Sequence, residues 1–168
     1  MGETNMDLQE LYSMQRMLDE RIETQHGLQD ENLVEKKMLA LLVEIGELAN
    51  ETRCFKFWSL KPPAPLEKVL EEYVDGLHFI LSLGIELNFV HNVDKMKKET
   101  ENYSLVEQFL RVFQAVNEFQ QTKSLEAYKR LFTHYLQLGE CLGFTYEQIE
   151  QAYIMKNEVN HERQNQNY

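Results

Sequence analysis

Four carboxylates in two short pairs, Glu44-x-x-Glu47 and Glu72-x-x-Asp75, interrupt stretches that are otherwise apolar. The first stretch, Met38 to Ala49, is apolar on nearly every side, so it reads as a helix buried in a core. Charge is costly there. A carboxylate taken out of water loses several kcal/mol of hydration unless it is neutralised, paired or bound to metal. Glu44, Glu47 and Glu51 share one helical face, where like charges repel. Val69 to Leu83 repeats the pattern with Glu72 and Asp75, and antiparallel packing of the two helices would set the pairs face to face. Hard oxygen donors in that arrangement suit Mg²⁺, which shares its coordination shell with water and substrate phosphates. A single Glu-x-x-Glu would read as the solvated edge of an amphipathic helix. Two such pairs in apolar surroundings point to a metal site. The Glu-x-x-His of di-iron bundles is missing, and His78, three residues after Asp75, reads as a core histidine or one that supports the site from behind.

Two further segments carry candidate chemistry. Phe55, Phe57 and Trp58 lie between the acidic helices, with Arg53 and Lys56 interleaved. The two phenylalanines read as a cover for the bundle end, whereas Trp58 offers a plane for a base and Lys56 a cation for phosphate. Near the C-terminus, Lys156, Asn160 and Arg163 fall at i, i+4 and i+7 and share a helix face. The bland reading is a solvated polar face. The functional one is a cationic arm over metal-held phosphates, with Asn160 bonding sugar or phosphate.

Elements that position these residues are helical throughout. Seven glycines and three prolines leave long intervals with helical periodicity, so the fold class is all-α, a bundle of five to six helices forming one domain over residues 1–168. Expected helices run from about Met6 to Thr24, Asn32 to Arg53 and from Pro65 to near Asn88, then from Leu105, from Leu125 to Leu142 and from Tyr146. Ser104-x-x-Glu107 and Thr145-x-x-Gln148 fit capping boxes. Gly143 fits a helix stop.

Net charge of −11 argues against a nucleic-acid or anionic-membrane surface and makes a metal necessary for any polyphosphate ligand. Cys54 and Cys141 are isolated, which suits a reducing cytoplasm rather than a disulfide framework. With no signal-like start and no apolar run of spanning length, the expectation is a soluble, unexported chain. Apolar residues from Phe109 through Leu138 exceed what a small site needs, and a two-fold partner is expected to cover them.

These residues together resemble the dimeric all-α dUTPases, within the all-α nucleoside triphosphate pyrophosphohydrolase superfamily that includes MazG-like proteins. The superfamily core is Glu-x-x-Glu, a spacer, then Glu-x-x-Asp, and here 24 residues separate the pairs. More specific are Phe55-Lys-Phe-Trp58, similar to the family's Trp-Lys-x-Trp loop, and Lys156-Asn-x-x-Asn160-x-x-Arg163-Gln with Tyr168 five residues on. Gln15-x-x-Leu18-Asp19 is similar to the family's Gln-x-x-Leu-Asn segment, whose side chains meet the base. Phe55 replaces a tryptophan, Asn167 a glycine and Asp19 an asparagine. An ionised carboxylate at position 19 cannot donate a hydrogen bond.

The resemblance implies a Mg²⁺-dependent dUTP diphosphatase that converts dUTP and dUDP to dUMP and so limits uracil in DNA. Glu44, Glu47, Glu72 and Asp75 are the implied metal ligands, with Glu47, or alternatively Glu44, orienting or deprotonating the attacking water. Lys156 and Arg163 would neutralise charge, and Trp58 and Gln15 would hold uracil. A homodimer whose loop reaches toward the neighbouring site is implied as well. Rival readings are a MazG-like or dCTP-type pyrophosphohydrolase with another base preference, and a helical interaction protein whose acidic face binds partners or ions.

Overall fold

Capping chemistry sets most of the helix boundaries in the computed structural model, which describes residues 6–93 and 101–167. Helix α1, Leu8–His26, starts where the Asp7 side chain accepts from the Glu10 amide, and stops at Gly27, whose φ of 65° is the left-handed conformation that lacks a penalty only for glycine. Helix α2 spans Val34–Thr52, and α3 spans Leu66–Glu86 directly after Pro65. Both anticipated capping boxes are present, opening α4 (Leu105–Thr122) at Ser104 and α6 (Tyr146–Asn165) at Thr145. Between them, α5 covers Leu125–Cys141, with Gly143 just past its end at φ 88°. Among the described residues there is no strand, and the fold is an all-α bundle.

Helices α2 and α3 form an antiparallel pair. The Ala64 amide donates to the Glu51 carbonyl at one end, Glu44 lies by Asp75 in the middle, and Lys37 pairs with Glu86 at the other end. Helix α1 runs alongside α3 in the same direction, Gln15 meeting His78 and Asp19 meeting Ser82 one turn on. Helix α6 packs against α1 and α3. The α4–α5 hairpin supports α2 and α3 from behind.

Contact between α3 and α5 depends on three glycines facing three tyrosine hydroxyls. A Cβ at Gly76, Gly84 or Gly139 would overlap the hydroxyl of Tyr135, Tyr128 or Tyr73 respectively. Each hydroxyl is spent on backbone: Tyr73 donates to the Tyr135 carbonyl at 2.8 Å, Tyr135 to the Tyr73 carbonyl at 2.5 Å, and Tyr128 to the Ile80 carbonyl at 2.8 Å. All three rings are fully buried, so these bonds form without competing water and fix the depth of α3 against α5.

Two sequence expectations fail here. Phe109, Val112, Val116, Phe119, Leu131, Phe132, Tyr135 and Leu138 are not a surface awaiting a partner, because the chain's own core buries them; Phe113 is half-buried against that core, and Leu110 in the same stretch is exposed. Their wide apolar faces are used up by the hairpin packing on itself and on α2 and α3. Helix α2, conversely, is not enclosed on every side: Leu39 and Val43 are 62% and 52% exposed among the described residues.

Candidate functional site

Oxygens of Glu44, Glu72 and Asp75 come within 4.8 Å of one another where α2 faces α3. Burial drives the Glu44 carboxyl up to about 8, and the negative charges of Asp75, Glu47 and Glu72 add to the shift. Asp75 is pushed up to about 6, again mainly by burial, with Lys156 opposing the rise. Glu44 Oε2 is buried and has no hydrogen-bond partner among the described residues. An orphaned carboxylate oxygen beside two more carboxylates fits a hard divalent cation, which would supply the missing partner and remove the repulsion.

Glu47, the fourth expected ligand, falls outside the 4.8 Å trio but lies beside Glu44, whose carboxyl it helps to raise. It is exposed and lines an open groove with Asn50, Glu51 and Glu72 on the solvent side of α2. Ammonium groups flank the cluster as well. Lys68 Nζ lies 3.0 Å from Glu72, and Lys156 Nζ lies 3.2 Å from Asp75 and 3.1 Å from Glu71. Lys156 and Asn157 are buried, so the bland reading of this α6 face as a solvated one does not hold.

A cavity of about 280 Å³ opens beside the cluster, with Glu44 and Asp75 at one edge and Asn160 and Arg163 on the α6 side. Gln15, Asp19, His78 and Ser82 give it polar walls, while Leu18, Ile22, Leu33 and Phe79 are apolar. The polar wall is wired internally. Gln15 Oε1 accepts from the Tyr153 hydroxyl at 2.8 Å and from His78 Nδ1 at 2.6 Å. Gln15 Nε2 donates to Asp19 Oδ1 at 2.9 Å, and Ser82 Oγ donates to Asp19 Oδ2 at 2.8 Å. Burial lowers His78 to about 3, with Lys156 adding to the effect, so its ring is neutral. The Gln15 carbonyl requires a donor, which assigns the proton to Nδ1. The ring also stacks on Tyr153 at 4.3 Å between centroids.

Gln15, Asp19, Asn160 and Arg163 therefore meet around one cavity, as their sequence positions suggested. Trp58 and Lys56 do not reach it. Phe57 and Trp58 are 93% and 65% exposed, and the three aromatics pack on one another instead of covering the bundle end, with Phe57 and Trp58 centroids 5.0 Å apart. Arg53 braces that loop by donating to Ser59 Oγ and the Lys61 carbonyl. Tyr168 lies outside the described residues. Sequence reasoning missed Ser82, Tyr153, Lys68 and Lys37. Ser82 was within reach, because it follows Asp75 by seven residues and His78 by four and so shares their helix face. Nothing local marks Tyr153, whose role comes from α6 crossing α1 and α3.

Among the described residues, no helix is long and apolar enough to cross a membrane, and both cysteines are free. A family model described as dUTPase matches residues 7–168 of the chain. Comparison with curated proteins finds no match.

Proposed function

The chain belongs to the dUTPase family and is a dUTP diphosphatase, a nucleoside triphosphate pyrophosphohydrolase, and we propose that it releases dUMP from dUTP and dUDP at the α2–α3 carboxylates with Mg²⁺. The observation that carries this reading is that Glu44 and Asp75 belong both to the carboxylate cluster and to the wall of the cavity. A nucleotide with its base in the cavity thus has its phosphates at the carboxylates.

Glu44, Glu72 and Asp75 would hold the metal, with Glu47 joining from the solvent side. When bound, Mg²⁺ supplies charge neutralisation at phosphate oxygens and makes water a better nucleophile at neutral pH. Glu47 orients or deprotonates the attacking water. It is the acidic residue of the set with the most open approach, whereas Glu44 is half-buried and holds its proton too tightly without metal. Lys156 exchanges Asp75 for phosphate, and Arg163 and Asn160 close on the phosphates and sugar from α6. Gln15 and Asp19 read the base, Phe79 packs below it, and Tyr168 belongs to the tail that follows.

Trp58 and Lys56 join this scheme in a homodimer, where the exposed loop of one subunit lies over the neighbour's cavity. Leu39 and Val43 on α2 are the apolar surface that such pairing would cover. The free cysteines and strong negative charge support a cytoplasmic location and argue against nucleic-acid or anionic-membrane partners.

Pyrophosphate release from dUTP, measured with Mg²⁺, after chelation and after Mg²⁺ is restored, tests the reading. Calorimetric titration of the nucleotide-free protein with Mg²⁺ supplies a second readout. Hydrolysis that persists in chelator, or the absence of Mg²⁺ binding in wild type together with full activity, would sink the assigned metal site.

A further inference from the structure

Lys68 stands on the side of α3 that faces the site. Residues 68, 75 and 82 are spaced by seven, close to two helical turns, so their side chains leave α3 in nearly the same direction. Asp75 and Ser82 both line the cavity, and Lys68 is the next member of that row toward the start of the helix. Its ammonium lies 3.0 Å from Glu72 Oε1 and 3.6 Å from Glu71 Oε2. Glu72 belongs to the carboxylate cluster, so Lys68 already sits where positive charge is needed.

The two lysines at the cluster differ in freedom. The Lys156 side chain is 9% exposed and is held between Glu71 and Asp75, whereas that of Lys68 is 42% exposed and projects from a single helix. A Glu72 carboxylate engaged by a divalent cation attracts an ammonium far less, so metal and Lys68 compete for it. Lys68 is then free to meet another anion. Along α3 the base end of the cavity is marked by Ser82, the phosphates begin at Asp75, and Lys68 is rooted two turns further on, about 10 Å along the helix axis. A triphosphate laid along this row extends toward Lys68, and a diphosphate stops short of it.

We propose that Lys68 exchanges Glu72 for the terminal phosphate of the bound nucleotide, and so distinguishes a nucleoside triphosphate from a diphosphate. This inference rests on the dUTP diphosphatase reading of the same site. The test uses α,β-imido-dUTP and α,β-imido-dUDP, whose bridging nitrogen resists hydrolysis, titrated calorimetrically with Mg²⁺ present into wild type, Lys68→Met and Lys68→Arg. Lys68→Met keeps the aliphatic stem and is expected to weaken the triphosphate analogue about tenfold, the size of one charge-assisted hydrogen bond, and the diphosphate analogue less than about threefold. Lys68→Arg keeps the charge and is expected to bind both analogues nearly as wild type does. Titration of the nucleotide-free proteins with Mg²⁺ alone supplies a second readout, in which Lys68→Met is expected to bind about two- to fivefold more tightly because the competing ammonium is gone. Equal weakening of the two analogues, or no weakening of either, makes Lys68 an ordinary helix-surface ion pair and overturns the proposal while leaving the dUTP reading intact. Mg²⁺ binding that fails to tighten in Lys68→Met, or a Lys68→Arg protein as weak as Lys68→Met, overturns it as well. Failure of wild type to bind either analogue brings down the dUTP reading and this inference with it.

Discussion

The carboxylate cluster and the Gln15–Asp19 network sit along one groove beside α3, yet they are opposite in construction. At the cluster, three acidic groups crowd together, Glu44 keeps an oxygen without a partner, and two carboxyls are pushed far above their usual range. One turn along α3, Gln15, Asp19, His78, Ser82 and Tyr153 are joined by four hydrogen bonds, with His78 Nε2 the one buried ring nitrogen left without a partner among them. A cluster of repelling charges is incomplete until a cation arrives, so it suits metal chemistry. A network with settled directions is already organised, so it suits recognition.

The sharpest way to break this comparison is to neutralise the cluster. Glu47→Gln is expected to cut dUTP turnover by about 10²–10⁴-fold, the range for a lost general base, with helix content by circular dichroism unchanged. Glu44→Gln is expected to lower activity severely while raising the melting temperature of the metal-free protein above about pH 8, where the wild-type carboxyl would carry a buried charge. A Glu44→Gln protein that melts below wild type in chelator would show that the cluster is not strained.

Next in size is a pH effect. Glu44 moves from an ordinary value near 4.5 to about 8 and Asp75 from near 3.8 to about 6, so the folded chain binds more protons than the unfolded chain between those limits. Stability of the metal-free protein therefore falls as pH rises from about 4 to 8, and Mg²⁺ affinity rises over the same window as the protons leave. Denaturant melts with and without Mg²⁺ check the sign. Glu44→Gln must flatten the metal-free slope.

Packing behind the site gives a smaller effect. Gly76 adjoins Asp75 and abuts the Tyr135 hydroxyl, which is fully buried and bonded to the Tyr73 carbonyl, so neither side can yield easily. Gly76→Ala is expected to cost about 1–3 kcal/mol in denaturant melts, the usual cost of overpacking. Smallest is Tyr153→Phe, which removes one of the two donors to Gln15 and is expected to cost ~1 kcal/mol while His78 keeps the amide oriented. A complete loss of activity in that variant would show the recognition network to be less self-sufficient than its bond pattern implies.

Much of the architecture was readable in the residues. Ser104-x-x-Glu107 and Thr145-x-x-Gln148 announced α4 and α6, because a capping box is a local exchange of bonds over four residues. Glu44, Glu72 and Asp75 were recognisable as a carboxylate cluster that could hold a cation, because carboxylates in apolar helices have few other stable uses. The reading of the apolar residues between Phe109 and Leu138 as a partner surface failed for most of them, which the core buries. Periodicity reports that a face is apolar but not which neighbour covers it.

By itself, then, the sequence determined the all-α class, the helix boundaries and the identity of the charged residues beside the site, since those follow from propensity, capping and the cost of burying charge. Only the tertiary structure decided that Lys156 is buried against Asp75, and that Tyr153 and His78 meet Gln15 while Ser82 meets Asp19. Those relations join residues more than 60 positions apart, and they depend on how α1, α3 and α6 cross, which no local pattern encodes.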